Sequence, residues 1–208
     1  MTTTTPTKGA RTREAIVEAA VAHACRVGLA GLTIGDIATA VGMSKSGMYA
    51  HFGSKEAMQI AVLDAAAQEF TDFVVGPALT APRGEPRIRA LAERWLTCGR
   101  TRLPGGCVIV KASTELDEQP GPVRDRLREH HRALDDAIAR IVAGGITEGQ
   151  FRTDVDGDQF ASDLYGVMLG YYHSHRLLQD PQAQARACRA VDALIDAARA
   201  DRSTGSTR

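Results

Sequence analysis

The sequence of residues 33–55 is Thr-Ile-Gly-Asp-Ile-Ala-Thr-Ala-Val-Gly-Met-Ser-Lys-Ser-Gly-Met-Tyr-Ala-His-Phe-Gly-Ser-Lys. Apolar residues recur at helical spacing in its first part, which predicts a short helix with one buried face. A glycine follows at position 42, and a second helical pattern starts after Ser44. Two short helices joined by a tight glycine turn form a helix-turn-helix, an arrangement that DNA-binding proteins place in the major groove.

Local hydrogen-bonding groups mark the beginnings of these two helices. Thr33 is the predicted N-cap of the first, and Asp36 stands three residues later, where it can complete a capping box. Ser44 is the predicted N-cap of the second helix. Gly42 suits a turn residue with positive φ, and Ala38 is small enough for the second helix to cross closely.

The second helix is predicted to have an apolar face and a polar face. Met48 and Phe52 are four residues apart and are expected to face the core. The polar face is expected to contact DNA, with lysines on phosphates and Ser46 on a base edge. As an alternative, Tyr49 and His51 are ordinary half-buried side chains and the lysines are only solvated. The predicted DNA-binding residues are Thr33, Ser44, Lys45, Ser46, Gly47, Tyr49, His51 and Lys55.

This region resembles the TetR family of transcriptional repressors. In that family a motif Tyr-x-His-Phe-x-x-Lys closes the recognition helix and opens the next helix. Here the motif comprises Tyr49, His51, Phe52 and Lys55. The resemblance covers residues 12–58, and it implies a double-stranded DNA operator as partner, a homodimer and a helical body that binds a small effector. It leaves the effector open, because the C-terminal regions of the family diverge.

Gly47 departs from the family pattern. It occupies the middle of the predicted recognition helix, where it weakens the helix by roughly 1 kcal/mol relative to alanine. Because glycine has no side chain, fewer groups remain to specify bases.

Charge is balanced over the whole chain, with 25 basic and 25 acidic residues. This balance argues against indiscriminate binding to nucleic acid. Residues 1–56 carry six basic and four acidic residues, a net charge of +2. Lys8, Arg11 and Arg13 lie just before or within the first helix, where an N-terminal arm is expected either to touch the DNA backbone or to be solvated.

The 208 residues, 44% of them hydrophobic, predict an all-α protein with a three-helix DNA-binding head and a larger helical body. The predicted divisions are a flexible arm (1–11), the head (12–56), the body (57–201) and a flexible tail (202–208). Neither a membrane span nor a secretory signal is predicted, so a cytoplasmic location is expected. The remaining helices are predicted at 12–27, 54–75, 86–100, 107–116, 122–143, 158–178 and 181–200, with breaks at 103–106, 119–122, 144–145 and 180–181.

A line of small residues runs along the predicted helix 158–178 at every fourth position. Glycines inside a helix are destabilising, so they indicate a packing gain in which a second helix approaches closely. Packing within one subunit is the alternative to packing between subunits. The family resemblance implies that the last two helices pair with their mates in a dimer. The predicted interface residues are Ser162, Gly166, Gly170, Ser174, Val191, Leu194 and Ile195.

A small, largely apolar effector is expected inside the body. Aromatic and sulfur-containing side chains supply apolar walls with a few polar groups, as ligand sites generally do. Each of these side chains is equally interpretable as core. The predicted lining residues are Phe73, Trp95, Cys107, Tyr165, Met168, Tyr171 and Tyr172.

Two alternatives compete with an effector-controlled repressor. The first is a thiol-based redox sensor that uses Cys98 and Cys107, which flank one predicted loop. The second is a helical enzyme, for which the sequence offers no assembled catalytic motif. Adjacent or alternating histidines, as in His130-His131 and His173-x-His175, point to different faces of a helix and do not predict a metal site. We therefore expect no enzymatic activity, no cofactor and no metal.

Overall fold

A computed structural model describes residues 7–101 and 106–200, and these residues are helical apart from turns and one isolated bridge between Phe151 and Arg199. This confirms the predicted all-α fold. The α-helices are α1 (Lys8–Val27), α2 (Ile34–Ala40), α3 (Lys45–Phe52), α4 (Lys55–Phe70), α5 (Gly76–Ala78), α6 (Glu85–Thr101), α7 (Val108–Glu115), α8 (Pro122–Thr147), α9 (Gly157–Tyr172) and α10 (Ala183–Ala198), with π-helical segments at Thr71–Val75 and His173–Leu177.

The chain divides into two compact units, and the first contains residues up to Phe70 together with Arg100–His130. Its core joins one face of α1 to the helix-turn-helix, α4 and α7. Burial of this apolar surface is the main term that stabilises the unit. The largest buried side chains here are Ile16, Leu29, Leu32, Ile37, Met48, Met58 and Leu63, and the core continues to Val108, Ala112 and Leu127.

The first helix starts at Lys8, whereas the sequence pattern placed its start at residue 12. Thr7 is the reason, because its hydroxyl accepts a hydrogen bond from the backbone N–H of Ala10 and so caps an earlier turn. Residues 8–11, assigned above to a flexible arm, are therefore helical. Residues 1–6 of that arm and the tail 202–208 lie outside the described residues.

The second unit contains Thr71–Gly99 and the residues from His131 onward. Its core is formed by α6, α8, α9 and α10, whose inward faces are apolar. This division of the chain differs from the predicted boundary between residues 56 and 57, because α4 and α7 belong to the first unit. The largest buried side chains of the second unit are Ile88, Leu91, Ile138, Phe151 and Leu164.

Helix α8 runs through Gly144 and Gly145, so the predicted break at this pair is wrong. The packing around Gly145 explains why glycine is found inside a helix. A Cβ on Gly145 would lie 2.3 Å from Cδ2 of Phe151 and 3.2 Å from the Cα of Gly84. A glycine is thus needed here for close packing, and the helix ends only after Thr147.

Two predicted helices change their hydrogen-bonding pattern before they end. The helix predicted over 54–75 is α-helical to Phe70 and π-helical over Thr71–Val75. Gly76 and Pro77 then begin the short helix α5, whereas the sequence pattern placed the end of the helix at this pair. Proline is tolerated there because the first turn of a helix needs no donor at that position. The helix predicted over 158–178 likewise becomes π-helical at His173–Leu177. The predicted break at 103–105 lies outside the described residues.

Candidate nucleic-acid interface

The helix-turn-helix is fixed by its caps. The Thr33 hydroxyl accepts from the Asp36 N–H at 3.1 Å and donates to the Asp36 carboxylate at 2.7 Å. The Ser44 hydroxyl accepts from the Gly47 N–H at 3.1 Å. Both predicted N-caps are therefore confirmed, and each satisfies a backbone donor that the helix itself leaves without an acceptor.

The turn between α2 and α3 adopts the predicted geometry. Gly42 has a φ of +68°, a value that disfavours residues with a side chain. Just after it, the N–H of Met43 donates to the carbonyl oxygen of Ala38 at 2.9 Å. Ala38 is buried, which agrees with the close crossing expected from its size. The turn thus sets the direction in which α3 leaves α2.

Helix α3 has the predicted buried and exposed faces. Met48 and Phe52 are in the core of the first unit. On the opposite face Lys45 and Ser46 are exposed, and half of the surface of Tyr49 (51%) is open to solvent. Because the backbone of α3 is held by its buried face and its cap, these polar groups project from a rigid element. This is the arrangement needed to fit into a groove of duplex DNA.

Three of the predicted DNA-binding residues also contact other residues of the first unit. His51 is only half-exposed, with its ring centroid 6.5 Å from that of Phe52. The Cε of Lys45 would lie 3.1 Å from a Cβ placed on Gly35, so its aliphatic stem crosses the first turn of α2. The ammonium of Lys55 donates to the carbonyl oxygen of Ala30 at 3.1 Å. Sequence patterns did not predict this last bond, since it joins residues 25 positions apart.

A side chain of α1 also packs against α3. The guanidinium carbon of Arg13 lies 4.9 Å from the centroid of the Phe52 ring, on the side chain that anchors the end of α3. Such a cation–π contact contributes roughly 0.5–1 kcal/mol at an exposed site. Arg13, predicted above as part of a DNA-contacting or solvated arm, thus supports the helix that carries Tyr49.

Known proteins match both parts of the chain. A family model described as "Bacterial regulatory proteins, tetR family" matches residues 16–62, and one described as "Tetracyclin repressor-like, C-terminal domain" matches residues 84–191. The chain belongs to the TetR family. Its resemblance to that family, first identified from the motif around Tyr49, is thereby confirmed, and it is a DNA-binding transcriptional regulator of the helix-turn-helix type.

Individual relatives of this TetR-family regulator agree with that result. The HTH-type transcriptional repressor AcnR of Corynebacterium diphtheriae is 26% identical over 159 residues, which cover 76% of this chain and 78% of AcnR. A TetR regulator from Chloroflexus aurantiacus J-10-FL has a TM-score of 0.79 at 30% identity, with 91% of this chain and 94% of that one covered. The TetR-family regulator from Cytophaga hutchinsonii has a TM-score of 0.82 at 21% identity, with 94% and 98% covered.

The structure places the predicted effector residues in two different units. Trp95 and Tyr165 of the second unit form a ring pair with centroids 5.9 Å apart, and His131 meets the edge of Tyr165 at 5.1 Å. The Tyr171 hydroxyl donates to the carbonyl oxygen of Leu96 at 3.4 Å. In that unit Met168 and Tyr172 are buried and Phe73 is 40% exposed, whereas Cys107 belongs to the first unit.

A groove of about 730 Å³ lies in the first unit of this TetR-family chain, lined by residues of α1 and α4. Its floor includes Val17 and Ala61, and its rim includes Asp64. The Asp64 carboxylate accepts hydrogen bonds from Arg126 at 2.6 Å and from His130 at 2.8 Å. The hydrogen bonds from both groups hold the pKa of Asp64 below its usual value, although burial opposes them. This groove is separate from the aromatic residues predicted to line an effector site.

The predicted dimer residues differ in accessibility. Gly166 and Gly170 are exposed, and a Cβ on either would meet no atom of the described residues within 4 Å. Ser162 is also exposed, and Ser174 and Leu194 are half-buried. By contrast, Val191 (5% exposed) and Ile195 (0%) are buried within their own subunit. Those two residues thus hold α10 in the second unit, and their placement in a seam between subunits is not supported.

The two cysteines of the redox alternative belong to different compact units. Cys98 is buried in the second unit, and Cys107 is half-buried in the first, where it precedes α7. No disulfide joins cysteines of the described residues. Across the residues that the structure describes, no three His, Cys, Asp or Glu side chains are grouped as metal ligands are. In the same residues, no helix is both long and apolar enough to span a bilayer.

Proposed function

We propose that this TetR-family regulator represses transcription by binding a palindromic operator as a homodimer, and that a small, largely apolar effector releases it. The observation that carries the proposal is the exposed polar face of α3, with Lys45, Ser46 and Tyr49 on a helix fixed by its cap and its buried side. Lysine contributes phosphate attraction, whereas serine and tyrosine hydroxyls form directional hydrogen bonds.

We expect two copies to bind together because the DNA-binding head of one subunit offers only a small contact surface. Helix α3 has 8 residues and so extends over roughly 12 Å, enough for a few base pairs in one groove. A twofold pair of heads doubles the contacts and matches a palindrome with half-sites about one helical turn apart. The open positions Gly166 and Gly170 support α9 as a helix against which a second copy packs closely.

The effector is proposed to act through an aromatic cluster of the second unit, defined by the Trp95–Tyr165 ring pair, in which Trp95 is buried and Tyr165 half-buried, and by the buried Tyr171. The cluster combines large apolar surfaces with ring hydroxyls and the neighbouring His131 ring, a mixture that suits an apolar molecule carrying a few polar groups. To release DNA, the effector must bind the operator-free state more tightly than the operator-bound state.

The experiment has two steps. Genomic fragments selected by the purified protein identify the operator, and neighbouring genes indicate candidate effectors. Calorimetry of one such effector is then performed with and without operator. An effector that weakens operator binding a hundredfold must itself bind the operator complex a hundredfold more weakly, a coupling of roughly 2.7 kcal/mol. Trp95→Phe is expected to alter effector affinity and to leave operator affinity near that of the wild type.

Equal effector affinities with and without operator would contradict effector control. If DNA is released only after thiol oxidation, and Cys107→Ser abolishes that release, the protein is a redox sensor instead. If no genomic fragment is enriched over bulk DNA, the proposal of a specific operator is rejected altogether.

A further inference from the structure

The connection between α1 and α2 is short and irregular, and it enters the core through Leu29 and Leu32, while Ala30 and Gly31 are exposed. Gly28 has a φ of +83°, and the side chains of Leu29 and Leu32 are fully buried. Backbone N–H and C=O groups in such a segment require hydrogen-bond partners, since the helices on either side supply only some of them. Side chains of α4 and α7 supply three of these partners.

Helix α7 supplies a cation to the end of α1. The ammonium of Lys111 donates to the carbonyl oxygens of Cys25 at 2.7 Å and of Arg26 at 3.0 Å. The last carbonyls of a helix have no partner within the helix and carry its negative dipole end, so a lysine is well suited to this position. Lys111 thereby joins α7 to the C-terminal turn of α1.

One turn further along α7, Glu115 binds the connection itself. Its Oε2 accepts a hydrogen bond from the N–H of Ala30 at 2.9 Å. Its carboxylate also occupies the space beside Gly28, where a Cβ would lie 1.8 Å from Oε1. Gly28 therefore accommodates both the positive φ and the close approach of Glu115.

Helix α4 holds the same segment from another direction. Lys55 donates to the Ala30 carbonyl at 3.1 Å, and the buried amide of Gln59 donates to the Leu29 carbonyl at 2.8 Å. The N–H and the carbonyl of Ala30 are thus bound by side chains of opposite charge from two helices. Ala30 lies three residues before Thr33, the N-cap of α2, so the position of the connection sets where the helix-turn-helix begins.

We propose that Lys111 and Glu115 are positioning residues for DNA recognition, which hold the α1–α2 connection and thereby place α2 and α3 for binding. The two residues make three hydrogen bonds from α7, two to the last carbonyls of α1 and one to the connection, so loss of either side chain loosens the segment that leads into α2. The inference rests on the proposed DNA-binding function. Affinity falls in proportion to the fraction of molecules whose head is correctly placed.

The test compares Lys111→Met and Glu115→Ala with the wild type on the selected operator. Each variant is expected to bind operator roughly tenfold more weakly, the effect of losing about one charge-assisted hydrogen bond. Lys111→Arg and Glu115→Gln keep a donor or an acceptor and are expected to retain most of the affinity. Thr114→Ala, at an exposed position of the same helix, is the matched control and is expected to bind as the wild type does.

Two further measurements separate positioning from other roles. The Ala30 amide is expected to exchange its hydrogen faster in Glu115→Ala, whereas that of Met48 in α3 is unchanged. The salt dependence of DNA binding is expected to keep its slope in Lys111→Met, because Lys111 contacts carbonyls and not phosphates. A slope reduced by about 0.9 would mean a direct phosphate contact and would overturn the inference.

Wild-type affinity in folded Lys111→Met and Glu115→Ala would also overturn it. In that case the wild type still selects its operator, so the proposed function stands. If the wild type itself selects no operator, the proposed function fails, and the exchange rate of the Ala30 amide then tests only whether Glu115 orders the connection.

Discussion

The guanidinium of Arg199 donates two hydrogen bonds, of 2.8 and 2.6 Å, to the carboxylate of Glu85. Glu85 is the first residue of α6, and Arg199 directly follows α10, so this ion pair joins the start of one helix to the end of another within the second unit. Arg89 also donates to Glu85 at 2.8 Å and reaches Asp192 at 2.6 Å. The hydrogen bond from Arg199, followed by that from Arg89, lowers the pKa of Glu85 from 4.5 to about 2 despite desolvation.

The first prediction is that Glu85 stabilises the fold in a pH-dependent way. Its pKa is lower in the folded state than in the unfolded chain, so its ionised form stabilises the fold fully above about pH 4.5. That stabilisation is lost as the pH falls toward 2. In denaturant titrations, Glu85→Gln is expected to be less stable than the wild type at pH 7, with the difference shrinking below pH 4.5.

Glu93→Gln is the control for this effect, since Glu93 is exposed on the same helix. It is expected to match the wild type throughout. A difference between Glu85→Gln and the wild type that stays constant from pH 7 to pH 3 would contradict a role for the carboxylate charge.

The second prediction concerns two glycines of the helix-turn-helix. Gly47 lies inside α3, and a Cβ there would be 3.2 Å from the flexible Cε of Met43, which can move aside. Gly47→Ala is therefore expected to raise the free energy of unfolding by up to about 1 kcal/mol. Gly42→Ala is expected to lower it by roughly 1 kcal/mol, because its φ of +68° strains any side chain. Thermal unfolding measures both, and changes of the same sign would contradict the assigned conformations.

The local features of the head were predictable from the sequence because their causes are local. A hydroxyl three residues before a backbone N–H caps a helix whatever surrounds it, as Thr33 and Ser44 do. The positive φ of Gly42 likewise follows from neighbouring residues. The glycine pair 144–145 wrongly predicted a break because packing, and not a turn, accounts for Gly145: it lies inside α8, where the Phe151 ring takes the space that a side chain would fill.

Long-range pairings account for the other differences. Periodicity predicted an apolar face on α10 but not which neighbour covers it, and Val191 and Ile195 are buried within the subunit. The hydrogen bond between Lys55 and Ala30 and that between Glu115 and Ala30 join residues 25 and 85 positions apart. No single-sequence pattern encodes such pairs, and so the assignment of α7 to the first unit was not foreseen.

The third prediction separates two exposed residues of α3. Lys45→Ala is expected to weaken binding to operator and to unrelated DNA alike, and to reduce the salt slope by about 0.9 through the loss of one phosphate contact. Ser46→Ala is expected to change the preference among operator variants by roughly 1–3 kcal/mol, the effect of a base-edge hydrogen bond. The Ser46 hydroxyl lies 3.0 Å from that of Ser44, which orients it.

Fluorescence anisotropy on operator and scrambled duplexes at several salt concentrations measures both effects. Arg94→Ala, at an exposed position of α6 outside the helix-turn-helix, serves as a charge-matched control for Lys45→Ala. If Ser46→Ala keeps the wild-type preference among operator variants, then another residue or the shape of the DNA determines that preference, and Ser46 does not.

The fourth prediction concerns Gly166 and Gly170, the two exposed glycines of α9. Gly166 and Gly170 are exposed, and a Cβ on either meets no described atom within 4 Å, so the folded subunit is expected to tolerate Gly166→Leu and Gly170→Leu. At a closely packed dimer interface the same leucines are expected to raise the dimer dissociation constant by about tenfold or more, equivalent to roughly 1.4 kcal/mol. Sedimentation equilibrium gives that constant.

Gly144→Leu is the matched control, because Gly144 is also inside a helix with open space beside it but lies on α8. It is expected to leave dimerisation unchanged. Unaltered dimers in both α9 variants would place the interface elsewhere.

The central claim, a dimer whose two α3 helices read a palindrome, is tested most directly by comparing the affinity of the purified protein for the full operator with that for a duplex in which one half-site is scrambled. We expect one dimer bound to the full operator, two protected major-groove segments centred about 34 Å apart, and affinity for the half-site duplex lower by roughly a hundredfold or more. A monomer that binds the half-site duplex as tightly as the full palindrome would contradict it.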